Sequence, residues 1–88
     1  MMQQICDRDD EHRKAVRDFY RIYNYLRKKR AFGMHWHSDM RGALLEVWEY
    51  RNDGTVRSVC RADTDDSTTC YKIAADQLRG YRKIMGIL

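Results

Sequence analysis

Apolar residues recur at three- and four-residue intervals through "DRDDEHRKAVRDFYRIYNYLRKKR", where Val16, Phe19, Tyr23 and Leu26, joined by Ala15 and Ile22, share one helical face. The spacing predicts an amphipathic helix over residues 7–30. Asp7 is expected to cap it, acids to fill its first turn and "RKKR" its last, with Gly33 closing it in a left-handed conformation.

In "GMHWHSDMRG" the period changes to two. Phe32, Met34 and Trp36 alternate with His35, His37 and Asp39, as on a short strand whose first set faces a core. Further on, "ALLEVWEYRNDGTVRSVCRAD" places Asp53-Gly54 between two β-prone runs, a strong signal for a hairpin with a type I′ turn. With Asn52 opposite Thr55, Tyr50 pairs Arg57, Trp48 pairs Val59, Val47 pairs Cys60, Glu46 pairs Arg61 and Leu45 pairs Ala62. This sorts Leu45, Val47, Cys60 and Ala62 onto a core face, and Trp48, Tyr50, Val59, Arg57 and Arg61 onto the other. A three-residue Asn52-Asp53-Gly54 loop shifts the register by one and spoils the sorting, so the two-residue turn is expected.

"DTDDSTT" reads as a polar turn, and "TTCYKI" after it suits either a further strand of the meander or the start of the last helix. From Ala74 the helical period returns in Leu78, Tyr81, Met85 and Leu88; Gly80 weakens that helix by about 1 kcal/mol and Gly86 is expected to end it. The predicted architecture is α+β. An N-terminal helix, a three- or four-stranded antiparallel meander and a C-terminal helix form a two-layer sandwich, with both helices on one sheet face.

Eighty-eight residues, 43% hydrophobic and 34% charged, support one globular domain spanning residues 1–88. The opening segment shows no secretory leader, and no apolar run reaches the roughly 18 residues of a membrane span. The expected compartment is the cytoplasm. Cys6, Cys60 and Cys70 form neither an even disulfide set nor a Cys-x-x-Cys pair, which favours three reduced thiols.

The net charge of +4 permits nucleic acid as a partner without requiring it. Its distribution is uneven, since residues 13–30 carry eight basic side chains against the single acid Asp18. At 100° per residue Lys14, Arg17, Arg21 and Lys28 fall within about 60° of one another, flanked by Arg13 and Asn24. A charged stripe is commonly a solvated face. The lack of interspersed acids after Asp18 makes this one a candidate binding surface.

Candidate chemistry is sparse. His35, His37 and Asp39 are weak metal candidates, because two histidines on one strand still need a further ligand such as Cys60 or His12 and no second cluster has suitable spacing. The same histidines could serve as an acid and base pair for RNA cleavage, with a nearby Arg or Tyr stabilising the phosphate, the least favoured reading. Asp63, Asp65 and Asp66 lack the rest of a calcium loop, and no nucleophile triad or phosphate loop stands out. No cofactor is expected.

The order helix, sheet, helix resembles that of double-stranded RNA-binding domains, but "DDSTTCYK" stands where their last helix opens on a basic run. That departure withholds their function from this chain. Two macromolecular readings remain. Trp48 and Tyr50 can stack on single-stranded bases while Arg57 and Arg61 meet phosphates, although Glu46 and Glu49 offset that charge. Exposed aromatics and arginines, including Tyr20 and Tyr25, also compose protein-binding hot spots, and the sheet edges can accept a partner strand. The favoured expectation is a non-enzymatic adaptor, inhibitor or regulator of a protein partner, of the kind common among phage and plasmid accessory factors. Its candidate partner-binding residues are Arg13, Lys14, Arg17, Arg21, Tyr25, Lys28, Trp48, Tyr50, Arg57 and Arg61. Direct binding of RNA or single-stranded DNA is the alternative.

Overall fold

A computed structural model describes residues 2–88, with side chains from Asp9 onward. Its elements are α1 (Met2–Arg27), β1 (Phe32–Asp39), β2 (Gly42–Tyr50), β3 (Val56–Thr64) and α2 (Ser67–Ile84). The strands form one antiparallel sheet in the order β1-β2-β3, so the expected α+β meander is present with three strands.

Helix α1 starts earlier than its capping signals suggested. Asp7 lies inside it, and the side chains of Asp7 and Cys6 lie outside the described residues. The acids at 9–11 therefore miss the first turn, where a helix dipole acts most strongly. Glu11 instead forms an ion pair with Lys72 of α2. At the other end the chain tightens before Gly33, as the N–H groups of Lys29 and Arg30 both donate to the Leu26 carbonyl at 2.9 and 3.0 Å. Gly33 lies within β1, and the glycines with positive φ are Gly42, Gly54 and Gly86.

The alternation in β1 holds. Met34 pairs Val47 and Trp36 pairs Leu45 on the core side, while His35 pairs Glu46 and His37 pairs Leu44 on the outer side.

The hairpin corrects the expected register in an instructive way. Gly54 donates to the Arg51 carbonyl at 3.1 Å and Arg51 to the Thr55 carbonyl at 2.9 Å, closing a three-residue loop. Only Gly54 in that loop has positive φ, +87°, whereas a type I′ turn needs two such residues. The Asp53 carboxylate stabilises the loop by accepting from the Thr55 N–H and hydroxyl. Near the turn the register is accordingly shifted by one, with Tyr50 opposite Val56, Glu49 opposite Arg57 and Trp48 opposite Ser58. An extra residue, Val59, forms a β-bulge. Beyond it the pairs Val47–Cys60, Glu46–Arg61 and Leu45–Ala62 are those the core pattern demands. The loop and the bulge each displace the register, and their effects cancel where burial specifies it.

The segment 68–73 is helical and adds no strand to the meander. Asp66 decides this local competition by accepting from the Thr69 N–H and hydroxyl, both at 2.8 Å. Those contacts hold its carboxyl below the ordinary range, the backbone bond contributing most. The cap aligns Cys70, Tyr71, Ala74, Ala75, Leu78 and Tyr81 on one buried face. After the helix Gly86 adopts φ +65°, and the Ile87 N–H donates to the Arg82 carbonyl, a left-handed closure at the expected glycine.

Helix α2 packs across β2 and β3, and α1 packs beside α2. Phe19, Leu26, Leu45, Val47, Cys60, Cys70 and Leu78 are fully buried in a single apolar cluster. Aromatic contacts join the layers: Tyr71 meets Phe19 at 5.6 Å and Trp36 at 4.7 Å between ring centroids. Burial pushes the Tyr71 hydroxyl and the Cys60 thiol up to about 12 each, as removal from water disfavours the charged forms.

Candidate binding surfaces

The two layers present different chemistry to solvent. On the helical layer Arg13, Lys14, Arg17, Arg21 and Lys28 are all exposed. The stripe from Lys14 to Lys28 runs about 21 Å along α1 at the ordinary helical rise. It borders an open groove of about 550 Å³ between the helices, lined by Asp18, Arg21, Tyr25, Lys28, Arg79 and Arg82. Helix α2 thus adds cations to those of α1. Arg79 is engaged by Asp76 at 2.8 Å, which moderates its contribution.

Tyr25 forms part of this groove's wall. Its ring is half-buried against the core, with the Arg82 guanidinium 4.2 Å from its centroid and the Lys29 ammonium at 5.5 Å. Tyr25, expected among the exposed aromatics, is therefore partly a packing residue. Arg82 is held in place by donating to the Ile87 carbonyl at 3.1 Å, so the left-handed turn at Gly86 helps fix the stacked cation.

The outer sheet face has partners of its own for the groups that looked available. Trp48 and Tyr50 lie over Gly33, where a Cβ would come within 2.6 Å of the Trp48 Nε1 and 2.9 Å of the Tyr50 hydroxyl. Gly33 is thus required by cross-strand aromatic packing rather than by helix closure. The two rings also meet edge to face at 6.5 Å. Arg61 donates to Glu46 at 3.1 Å, as its pairing anticipated.

Arg57 is not on this face. The shifted register sets it opposite Glu49, whose side chain points inward, and it lines a shallow hollow with Gln77 and Tyr81 of α2 and with Met85 just after that helix. Neither the expected Tyr50–Arg57 pair nor a four-residue cluster of Trp48, Tyr50, Arg57 and Arg61 is formed.

His35 and His37 are exposed on the outer face, and the His37 ring lies 3.1 Å from the Asp39 carboxylate. The Asp39 carboxyl is held below the ordinary range mainly by the Arg41 N–H, with His37 second. The suggested additional ligands lie elsewhere. His12 bonds Thr68 at 2.8 Å across the helix pair, while Cys60 is buried on the inner face. Among the described residues, no group of three or more His, Cys, Asp and Glu side chains converges.

One polar cluster escaped sequence reading. Glu49, only 7% exposed, accepts from the Tyr81 hydroxyl at 2.8 Å and from Arg30 at 3.3 Å; Arg30 also donates to Tyr81 at 3.2 Å. This network ties the end of α1 to β2 and α2. Burial first, then the Glu49 contact, raises the Tyr81 hydroxyl above its ordinary value. The signal was available in the alternation, since Glu49 continues the inward series Ala43, Leu45 and Val47.

No helix of the described residues is long and apolar enough to cross a membrane. Comparison with known protein families, curated proteins and solved structures finds no match to this chain.

Proposed function

We propose that this chain is a small non-enzymatic cytoplasmic binding protein, an adaptor, inhibitor or regulator, that engages an acidic surface of another protein through its helical layer. The observation that carries the reading is the cationic surface shared by α1 and α2 around the Tyr25 groove. Lys14, Arg17, Arg21 and Lys28 are exposed there, and Arg82 and Tyr25 supply a rigid stacked centre. Arginine and tyrosine beside partly apolar floor residues such as Ile22 compose typical interface anchors. Catalysis is not part of the reading, because His35 and His37 stand on a strand face away from this groove.

Direct nucleic-acid binding is the second reading, supported by the same stripe. Its single-stranded form has less support, because Trp48 and Tyr50 lie on the sheet whereas the cationic stripe of Lys14, Arg17, Arg21 and Lys28 runs along α1.

Affinity capture from a nuclease-treated cytosol tests the proposal. A stoichiometric protein retained by the wild type and lost by R17E/R21E is expected. Retention by both forms would overturn the assignment to the helical layer, and binding abolished by nuclease, with a steep salt dependence, would replace the protein reading with the nucleic-acid one.

A further inference from the structure

The two edges of the sheet are finished differently. On β3 the side chain of Gln77 acts as a substitute strand, its Oε1 accepting from the Arg61 N–H at 2.8 Å while its Nε2 donates to the Arg61 carbonyl at 3.1 Å. Strand β1 has no such clamp. Among the described residues, the backbone of residues 32–39 is bonded only in its ladder with β2. Its core-side residues Phe32, Met34 and Trp36 stay half-buried, met from above by Tyr81 and Tyr71 at their rings. It also contains no proline, lysine or arginine, the residues that commonly guard an exposed edge.

We infer that β1 pairs edge to edge with β1 of a second copy, giving an antiparallel dimer with one continuous sheet. Charge is compatible with this site, because the cationic excess of each copy lies in residues 13–30 on α1 and β1 itself carries neither lysine nor arginine. A two-fold axis requires a residue to face itself, and Trp36 is the best centre. It sets His35 opposite the partner's His37 and Gly33 opposite the partner's Asp39. On the core side it brings Phe32 against the partner's Met40, a side chain fully exposed in the single chain. Centring on His35 instead places Arg41 opposite the partner's Lys29, a like-charge contact. The Gln77 clamp on the far edge then stops growth at two copies, so the assembly closes rather than extending into a fibre.

Sedimentation equilibrium of the full chain tests this. The wild type should weigh twice 10.6 kDa. H35K/H37K places like charges opposite one another twice per dimer and should raise the dissociation constant by about tenfold or more. H35K/H37E converts both contacts to opposite charges and should restore the dimer. Both histidines are exposed, so far-UV circular dichroism should match the wild type. Q77A opens the second edge and should give species heavier than the dimer as concentration rises. A wild type monomeric into the millimolar range, an unweakened H35K/H37K dimer, or a folded H35K/H37E variant that stays monomeric would each overturn the pairing; a Q77A protein fixed at the dimer mass would overturn the closure.

Discussion

The helical and sheet faces both expose residues of the kinds that bind macromolecules, yet they use them in opposite ways. On the sheet, Trp48 and Tyr50 pack over Gly33, and Arg61 is paired with Glu46. On the helices Lys14, Arg17, Arg21 and Lys28 stand in solvent along one stripe, beside a groove whose Tyr25 and Arg82 are already ordered. Composition alone does not distinguish these faces. What separates them is whether a side chain's best partner lies within the same chain. A face satisfied internally should affect folding when altered, whereas an unsatisfied one should affect association.

The sheet face should therefore give the largest stability effects. Gly33→Val forces the Trp48 indole and Tyr50 away from β1, and a loss of about 1–3 kcal/mol is expected from chemical denaturation, as for other overpacked sites. Tryptophan fluorescence should shift to the red as Trp48 moves into water. Just beneath this face Tyr81→Phe removes a 2.8 Å bond to buried Glu49 and should cost about 1–2 kcal/mol, measured the same way. Unchanged stability in both variants would erase the distinction between the faces.

Smaller effects sharpen it. Arg61→Ala removes a partly exposed ion pair and should cost less than about 1 kcal/mol, diminishing further in salt. On the helical face Lys14→Ala and Arg17→Ala should each stay within about 0.5 kcal/mol of the wild type.

Acid provides a separate probe of the turns. Asp39, Asp53 and Asp66 have carboxyls held below the ordinary range by the Arg41 N–H, the Thr55 hydroxyl and the Thr69 N–H respectively. Because their folded values lie below the unfolded ones, their stabilisation is present above the ordinary carboxylate value of about 4 and declines as pH falls through the folded values. Thermal melts from neutral pH downward should show Tm falling in that acidic window. Asp66→Asn, which retains a capping oxygen without a titrating proton, should show a shallower fall.

Much of the architecture was legible because burial writes a period into the chain. Phe19, Tyr23 and Leu26 announced α1, and Met34 and Trp36 announced the inward row of β1. The hairpin shows the limit of that signal. Leu45, Val47, Cys60 and Ala62 specified their own pairing, but the solvent-exposed turn carried no burial constraint to distinguish a tight turn from a longer loop corrected by a bulge at Val59. Arg57 was misplaced for that reason. Gly33 and Glu49 depended on partners distant in sequence: Trp48 and Tyr50 for the glycine, Arg30 and Tyr81 for the acid. In α2 the Asp66 cap outweighed the β-branched and aromatic character of "TTCYKI", since it satisfied backbone donors that a strand reading left out of account. The cationic stripe on α1 was visible from its spacing; its continuation onto Arg79 and Arg82 required the fold.

The most direct test of the helical-face assignment is a paired titration of the captured partner against two variants, R17E/R21E and Y50A/R61A, each with a folded circular dichroism spectrum. Isothermal titration calorimetry should show affinity falling at least about a hundredfold, near 2.7 kcal/mol, for the helical variant and little changed for the sheet variant. The reverse pattern, with Y50A/R61A losing the partner and R17E/R21E keeping it, would contradict the account.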